Sequence, residues 1–359
     1  MLKIIDIYLI RKFLGTFFFA ISLLILIVIV FDISEKIDDF LEKNTPLKAI
    51  LFDYYLNFIP YFVNLFSYLF TFIAVVFFTA KMAAQSEIVA ILSSGISFRR
   101  LLVPYIFSAI VLGIMSFYLA NFLIPRTNTR LMDFEKAYLK NPYRNRALNI
   151  HMQISPGNFV YMETFNNQTN TGYKFSMERF ENRRLVSKLN AQRITWDSIA
   201  GKWQIRDYVI REIGQEKEKI TKGEMLDTII NIHPSEFSFI IEEMKTMNFN
   251  ELREFIEKER LKGSQEIKEY EVEKHRRIAH PFATIILTLI AVSISSRKVR
   301  GGIGMHLGIG LTLAFGFLLF QQVSTVFSTR GSLEPWLAVW IPNFVFALIG
   351  LFLLRIAPK

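Results

Sequence analysis

Six stretches of the sequence contain no Asp, Glu, Lys or Arg, and this pattern decides the class of fold. A bilayer core of about 30 Å is crossed by about 20 apolar helical residues at about 1.5 Å each. The stretches span residues 13–31, 54–80, 101–124, 281–296, 303–327 and 336–354, and residues 278–280 bring the fourth to full length. The sequence therefore predicts a polytopic α-helical membrane protein with six transmembrane helices.

The basic residues between the predicted spans give the orientation. Short segments on one side of the membrane, including both termini and residues 81–100, carry 11 Lys and Arg, whereas those on the other side carry four. Short loops rich in Lys and Arg stay in the cytoplasm. We therefore predict that both termini are cytoplasmic and that residues 125–277 lie outside, in the periplasm of a cell with two membranes.

The long outside segment has the composition of a folded soluble domain, with 27 basic and 23 acidic residues. Short runs rich in aromatic and β-branched residues alternate partly in polarity and are separated by turn signals, which is typical of antiparallel strands. The runs cover residues 158–163, 173–180, 184–195 and 202–212. We predict an all-β domain of the sandwich or jelly-roll kind, inserted between the third and fourth spans.

A helical connector is predicted to follow the β-domain. Asn250 can cap a helix that carries Leu252 and Ile256 on one stripe, and Gly263 is a plausible end. The predicted plan is an N-terminal transmembrane half at 1–124 with a cytoplasmic loop at 81–100, a periplasmic β-domain at 125–249, a connector at 250–277 and a C-terminal transmembrane half at 278–359.

The predicted spans carry little reactive chemistry. The chain has no cysteine, which excludes disulfides and thiolate metal sites, and the only titratable side chains at depth are His280 and His306. We interpret both as hydrogen-bonded interfacial residues, so ion-coupled transport is disfavoured. The glycine-rich run at 301–310 lacks the Gly-Lys-Ser/Thr of a nucleotide-binding loop, and its Gly304 and Gly308 predict close helix packing.

The loop at 81–100 contains a single acid, Glu87. Two interpretations stay open from the residues alone. The carboxylate pairs with Lys81, Arg99 or Arg100 of its own loop, or it docks on a basic patch of a soluble partner. If the protein performs energy-driven transport, another subunit must hydrolyse the ATP, because this sequence has no nucleotide-binding loop.

Several stretches resemble one known family. They are DIYLIR from Asp6, AQSEIVAILSSGIS in the loop at 81–100, NFVYMETF from Asn158, and RFENRRLVSKLNAQRITWDSIAGKWQIRD from Arg179. The sequence is similar to the LptF/LptG permeases of lipopolysaccharide export over nearly its whole length, and the last two stretches look more like LptG.

The resemblance implies a permease half without catalytic residues, cofactor or metal, in the bacterial inner membrane. Its implied partners are an LptF-like second half, a dimer of an LptB-like ABC ATPase that binds the ATP, and LptC/LptA-like jelly-roll bridge proteins, but no nucleic acid. In this family the loop helix couples to the ATPase. The resemblance therefore assigns ATPase coupling to Glu87, with Ser86 and Gly95 beside it.

The implied substrate, lipopolysaccharide, needs an apolar cavity for its acyl chains and cations for its phosphates. The first and fifth spans are rich in aromatic residues and are candidates to line that cavity. The predicted phosphate-binding residues are Lys36, Arg126 and Arg130. The sequence departs from the family pattern at the outer end of the first span, where acids surround Lys36: Asp32, Glu35, Asp38 and Asp39.

Two other functions are alternatives to export. A membrane-anchored periplasmic sensor or assembly scaffold would use the β-domain to bind a partner and the loops to signal inward. An integral membrane enzyme is the third possibility, and the spans show no metal-ligand pair or charged residue to support it.

Overall fold

The computed structural model describes residues 3–139, 148–166, 169–214, 217–234, 241–264, 266–297, 299 and 302–357. Contacts within the chain separate two compact units. The first comprises Met1–Lys140, Lys245–Phe249 and Lys268–Lys359, and the second comprises Asn141–Met244 and Asn250–Ile267. The domain boundaries given from the sequence at 124, 249 and 277 stay predictions.

Six helices are long and apolar enough to cross a bilayer, which confirms the predicted class of fold. They are α1 (Ile4–Glu42), α2 (Leu47–Ala84), α4 (Phe98–Tyr138), α6 (Ile267–Ser295), α7 (Gly302–Thr329) and α8 (Pro335–Ile356). Two further helices are α3 (Glu87–Ser93), between α2 and α4, and α5 (Phe249–Lys262), before α6. Helices satisfy their own backbone hydrogen bonds, which is what a segment inside lipid requires.

The spanning helices form a bundle with two distinct ends. We call the end that holds Ile4, Ala84 and Phe98 the terminal end, and the end where α4 finishes and α6 begins the insertion end. Helix α1 packs on α2 and α4, α2 packs on α7, and α7 packs on α8. Rings such as Phe13, Phe72 and Phe317 fill the centre of the bundle and are at most 1% exposed.

Helices α1 and α7 leave most of their apolar surface uncovered. Only 22% of the most apolar window of each is buried within the chain, against 61% for α6. Exposed aromatic side chains on these two helices include Phe18, Phe19, Phe31, Phe315 and Phe327. The bundle therefore has a buried core, and α1 and α7 also carry uncovered apolar surface, which we call the open apolar face.

The inserted domain is all-β, as predicted. Six strands form one antiparallel sheet in sequence order: β1 (Leu148–Ser155), β2 (Asn158–Asn166), β3 (Thr171–Glu181), β4 (Arg184–Asp197), β5 (Lys202–Ile213) and β6 (Glu218–Thr228). Asn182 and Arg183 both have positive φ in the tight turn between β3 and β4, the backbone twist that suits a two-residue hairpin.

One face of the sheet buries the domain's apolar core. Val160, Phe175 and Ile205 are at most 2% exposed on it, and the segment after β6 covers the same core with Ile232. The buried indole N–H of Trp203 donates to the carbonyl oxygen of Ile232 at 2.8 Å. This hydrogen bond satisfies a polar group that would be costly to bury alone.

The glycines predicted to bring helices together do not do so within this chain. A Cβ placed on Gly304 or Gly308 would meet no described atom of this chain within 4 Å, and packing of these glycines on a helix of another subunit stays a prediction. The close approach occurs two residues later, where a Cβ on Gly310 would lie 3.2 Å from Val76 and 3.4 Å from Phe72 of α2. The spacing identifies small residues, but the rotation of α7 decides which of them faces a neighbour.

Replacing Gly310 by Leu should destabilise the bundle, because the side chain would enter a packed contact between α7 and α2. We expect a loss of about 1–3 kcal/mol, measured as a lower midpoint of thermal unfolding of the purified chain in detergent. Gly308→Leu adds the same side chain where there is open space and serves as the control. Equal losses for the two variants would contradict this packing.

Candidate functional site

The loop between α2 and α4 folds into the short helix α3 because two residues reverse the chain. Ser86, before α3, has φ +62°, and Gly95, after it, has φ +86°. Glycine adopts this left-handed conformation freely, whereas serine does so at a cost. The hydroxyl oxygen of Ser97 then accepts from the backbone N–H of Arg100 and caps α4. The predicted coupling residues Ser86 and Gly95 thus bound the helix that carries Glu87.

One side chain anchors α3 to the bundle. Ile88 is 1% exposed and belongs to the main core cluster together with Met82 and Phe98. The next residue, Val89, is 51% exposed, so α3 has a fixed inner side and a free outer side.

The carboxylate of Glu87 binds the first transmembrane helix. The Lys12 ammonium lies 3.2 Å from both carboxylate oxygens, and the Tyr8 hydroxyl donates to Oε2 at 2.7 Å. Tyr8 and Lys12 are four residues apart on α1, so they lie on the same face of that helix. The sequence left open that Glu87 pairs with a base of its own loop. In the structure it pairs with Lys12 of α1 instead. Because α2 and α4 pack on either side of α1, the loop that joins them comes to lie beside its first turns.

A second ionic contact holds the start of α4 against α1. Arg100 donates through Nη1 and Nη2 to the two oxygens of Asp6 at 2.7 and 2.6 Å, and the backbone N–H of Lys3 donates to the same carboxylate at 2.7 Å. The Asp6 side chain is 3% exposed. Two-pronged pairs of this kind are among the stronger charge-assisted hydrogen bonds. The sequence analysis did not predict this role of Asp6. Its position in the first turn of α1, at the end of the bundle where basic residues collect, could have indicated an ion pair.

At the insertion end, the predicted phosphate ligand Lys36 is already paired. Its ammonium lies 2.8 Å from Asp32 and also contacts the Tyr54 hydroxyl. Tyr54 and Tyr55 each donate to a different oxygen of Asp32, at 3.0 and 3.1 Å. Asp32 therefore neutralises Lys36 within the chain, and a phosphate would have to compete with it.

The other two predicted ligands, Arg126 and Arg130, stand one turn apart on α4 and are exposed. Among the residues that the structure describes, neither takes part in an ion pair, and no hydrogen bond joins either to Lys36. The three predicted phosphate ligands therefore do not form one bonded cluster among the described residues.

Both histidines of the spans have hydrogen-bond partners. The His280 Nε2 lies 3.1 Å from the Gln321 side-chain nitrogen, and Gln321 in turn accepts from the Tyr68 hydroxyl at 3.4 Å. The His306 Nε2 lies 2.9 Å from the carbonyl oxygen of Arg297. These contacts agree with the interpretation of the two residues as structural histidines.

The model of the family "Lipopolysaccharide export system permease LptF/LptG" matches residues 7–356. The chain belongs to the LptF/LptG family. No curated protein matches the chain. Membership makes this chain a multi-pass inner-membrane permease of lipopolysaccharide export, a system that works as a complex with partner proteins. The family is non-catalytic in general, and the likeness to LptG rather than LptF stays a prediction.

Removing the Asp6 carboxylate should destabilise the terminal end, because the Arg100 guanidinium would lose its partner and a buried position would lose its hydrogen bonds. For Asp6→Ala we expect a loss of about 1–3 kcal/mol, read from thermal unfolding in detergent. Asp38→Ala removes an exposed acid from the same helix and is the matched control. If both variants unfold at the wild-type temperature, the contact contributes nothing to stability.

Proposed function

We propose that this chain is one half of an ATP-driven lipopolysaccharide exporter. It pairs with an LptF-like half, is driven by two copies of an LptB-like ATPase, and passes the lipid to LptC/LptA-like bridge proteins. The terminal end faces the cytoplasm and the β-domain faces the periplasm. Family membership and the six-helix bundle with an inserted β-domain support this assembly, and the contact of Glu87 with α1 carries the mechanism.

The ATPase acts through α3. Glu87 is 30% exposed at its side chain while bonded to Lys12 and Tyr8, so its carboxylate can accept from a further donor on a partner. Val89 and the turn at Gly95 extend the same surface. A movement of α3 is transmitted to α1 by the Glu87 contact and by the Asp6–Arg100 pair, without any charged residue inside the membrane.

The lipid chains enter on the open apolar face. Helices α1 and α7 leave most of their apolar windows uncovered, and a second permease half facing them would enclose an uncharged chamber. Each buried CH₂ of an acyl chain contributes about 0.8 kcal/mol, so a multi-chain lipid is held without polar contacts in that region. The exposed rings of α1 and α7 give the chamber its walls.

The lipid phosphates are met at the insertion end. Arg126 and Arg130 are exposed and carry no ion pair among the described residues, so they are the first cations that a headgroup would reach. Lys36 joins them only if its bond to Asp32 opens, because Asp32 now holds its charge. Acids next to Lys36 also suit a headgroup held with divalent cations.

We expect Glu87→Gln to uncouple the exporter, since the neutral amide keeps the shape of α3 but loses charge-assisted hydrogen bonds. A lost bond to a charged group corresponds to roughly a tenfold effect. ATPase activity stimulated by lipopolysaccharide, measured in the reconstituted complex, should fall by about that factor. Glu254→Gln removes an exposed acid from α5, which has no part in the proposed coupling or lipid contacts, and should leave the activity unchanged. Full activity of Glu87→Gln would exclude the assigned coupling site.

Purification of the chain from a native membrane should recover an ABC ATPase and a homologous permease half. Mass spectrometry of the bound lipid should find lipopolysaccharide, because the open apolar face must be covered by a partner or an amphiphile. Recovery of a kinase or another regulator, with no ATPase and no bound glycolipid, would favour the sensor or scaffold function instead.

A further inference from the structure

A small cavity opens at the insertion end of the bundle, and its lining does not include Lys36, Arg126 or Arg130. Its walls come from α2, α4 and α6, and the segment around Lys245 closes one side. The cavity has a volume of about 90 Å³, which admits several waters or one phosphate group, whereas a whole glycolipid is far larger. The site therefore suits a compact polar group.

Cations outnumber anions around this cavity. Lys245, Arg276 and Arg277 line it, and Glu273 is the one carboxylate that lines it in the part of the chain that the structure describes. Glu273 serves both arginines, with oxygens 3.6 Å from Arg276 and 3.2 Å from Arg277. The Lys245 ammonium has no acidic partner among the described residues and lies 5.0 Å from the centre of the Tyr61 ring. The formal charge of the lining is thus +2.

The cavity is preformed. The Arg277 side chain is 4% exposed and donates to the carbonyl oxygen of Met247 at 2.7 Å. The Asn128 side chain on α4 donates to the carbonyl oxygen of Lys245 at 3.3 Å. These two bonds fasten the segment that carries Lys245 to α4 and α6. A site whose cations are already held in place loses little entropy when a ligand binds.

The uncharged side chains that line the cavity also favour a ligand that accepts hydrogen bonds. The Asn64 side-chain oxygen accepts from the Ser116 hydroxyl at 2.6 Å, which directs the amide of Asn64 to act as a donor elsewhere. Phosphate is an acceptor with up to two negative charges, and such a group matches a lining of donors with a charge of +2. A net positive charge near the edge of a bilayer is costly unless an anion balances it.

We propose that this cavity binds a phosphate group carried by an amphiphile. The charge-free stretch of α4 ends at this cavity, at residue 124, and that of α6 begins beside it, at residue 281. A phosphate in the cavity therefore lies near the boundary where headgroups meet the apolar layer. Leu65 and Ile124 line the same cavity and give the attached chain an apolar path. That the carrier is the transported glycolipid rests on the proposed function, whereas the binding of phosphate does not.

The test measures binding to the purified full-length chain in neutral-lipid nanodiscs and phosphate-free buffer. Short-chain phosphatidic acid, the matching diacylglycerol, inorganic phosphate and a lipopolysaccharide are titrated separately by isothermal calorimetry. We expect phosphatidic acid to bind at least about tenfold more tightly than diacylglycerol. Equal affinities for inorganic phosphate and phosphatidic acid would assign the site to the free ion and overturn the proposal.

Variants locate the binding in this cavity. The double variant Lys245→Gln with Arg276→Gln should weaken phosphatidic acid binding roughly tenfold to a hundredfold, and Lys48→Gln, which removes an exposed cation of α2, should not change it. The charge-preserving pair Lys245→Arg with Arg276→Lys should keep binding and guards against a folding defect. Wild-type affinity in the glutamine pair would overturn the proposal even if the chain exports lipopolysaccharide. Weakened binding in that pair would support it even if the chain exports nothing.

Discussion

A bilayer excludes charge from its interior, and this constraint divides the bundle into an inert middle and two ionic ends. At the terminal end the pairs are Asp6–Arg100 and Glu87–Lys12, and at the insertion end they are Asp32–Lys36 and Glu273–Arg277. Between them the described spans carry no Asp, Glu, Lys or Arg. A protein built in this way has no ionic machinery in the membrane, so energy and recognition must enter at its ends.

Helix α1 connects the two ends. It has 39 residues and a length of about 58 Å. Its first turns bond to Glu87 in the loop at 81–100, and its later turns carry Asp32 and Lys36. Much of its surface in between is apolar and uncovered. The same helix is therefore bound to the loop that a motor would push and faces the region where lipid would lie. In the proposed function, this arrangement would connect Glu87 to the lipid through α1 alone, without a change in the packed core.

The architecture could be predicted from the sequence because its causes are local. Charge-free length predicts the spans, and alternating aromatic and β-branched runs predict the strands at 158–163, 173–180, 184–195 and 202–212. Partners across helices depend on helix rotation, which the sequence does not encode locally. For that reason the bond from Glu87 to Lys12, the role of Asp6 and the cation-lined cavity at Arg276 were not predicted. Within this chain Gly310 makes the close helix contact, whereas Gly304 and Gly308 face no described neighbour.

In the proposed exporter, the two ionic ends of the bundle face opposite compartments, one with the ATPase and one that receives the lipid. The chain has no cysteine, so single cysteines at Val89 on α3 and Ile199 after β4, both exposed, report their own side of the membrane. A membrane-impermeant maleimide applied to intact spheroplasts should label Ile199→Cys at once and Val89→Cys only after permeabilisation. Labelling of Val89→Cys in intact spheroplasts would contradict the account.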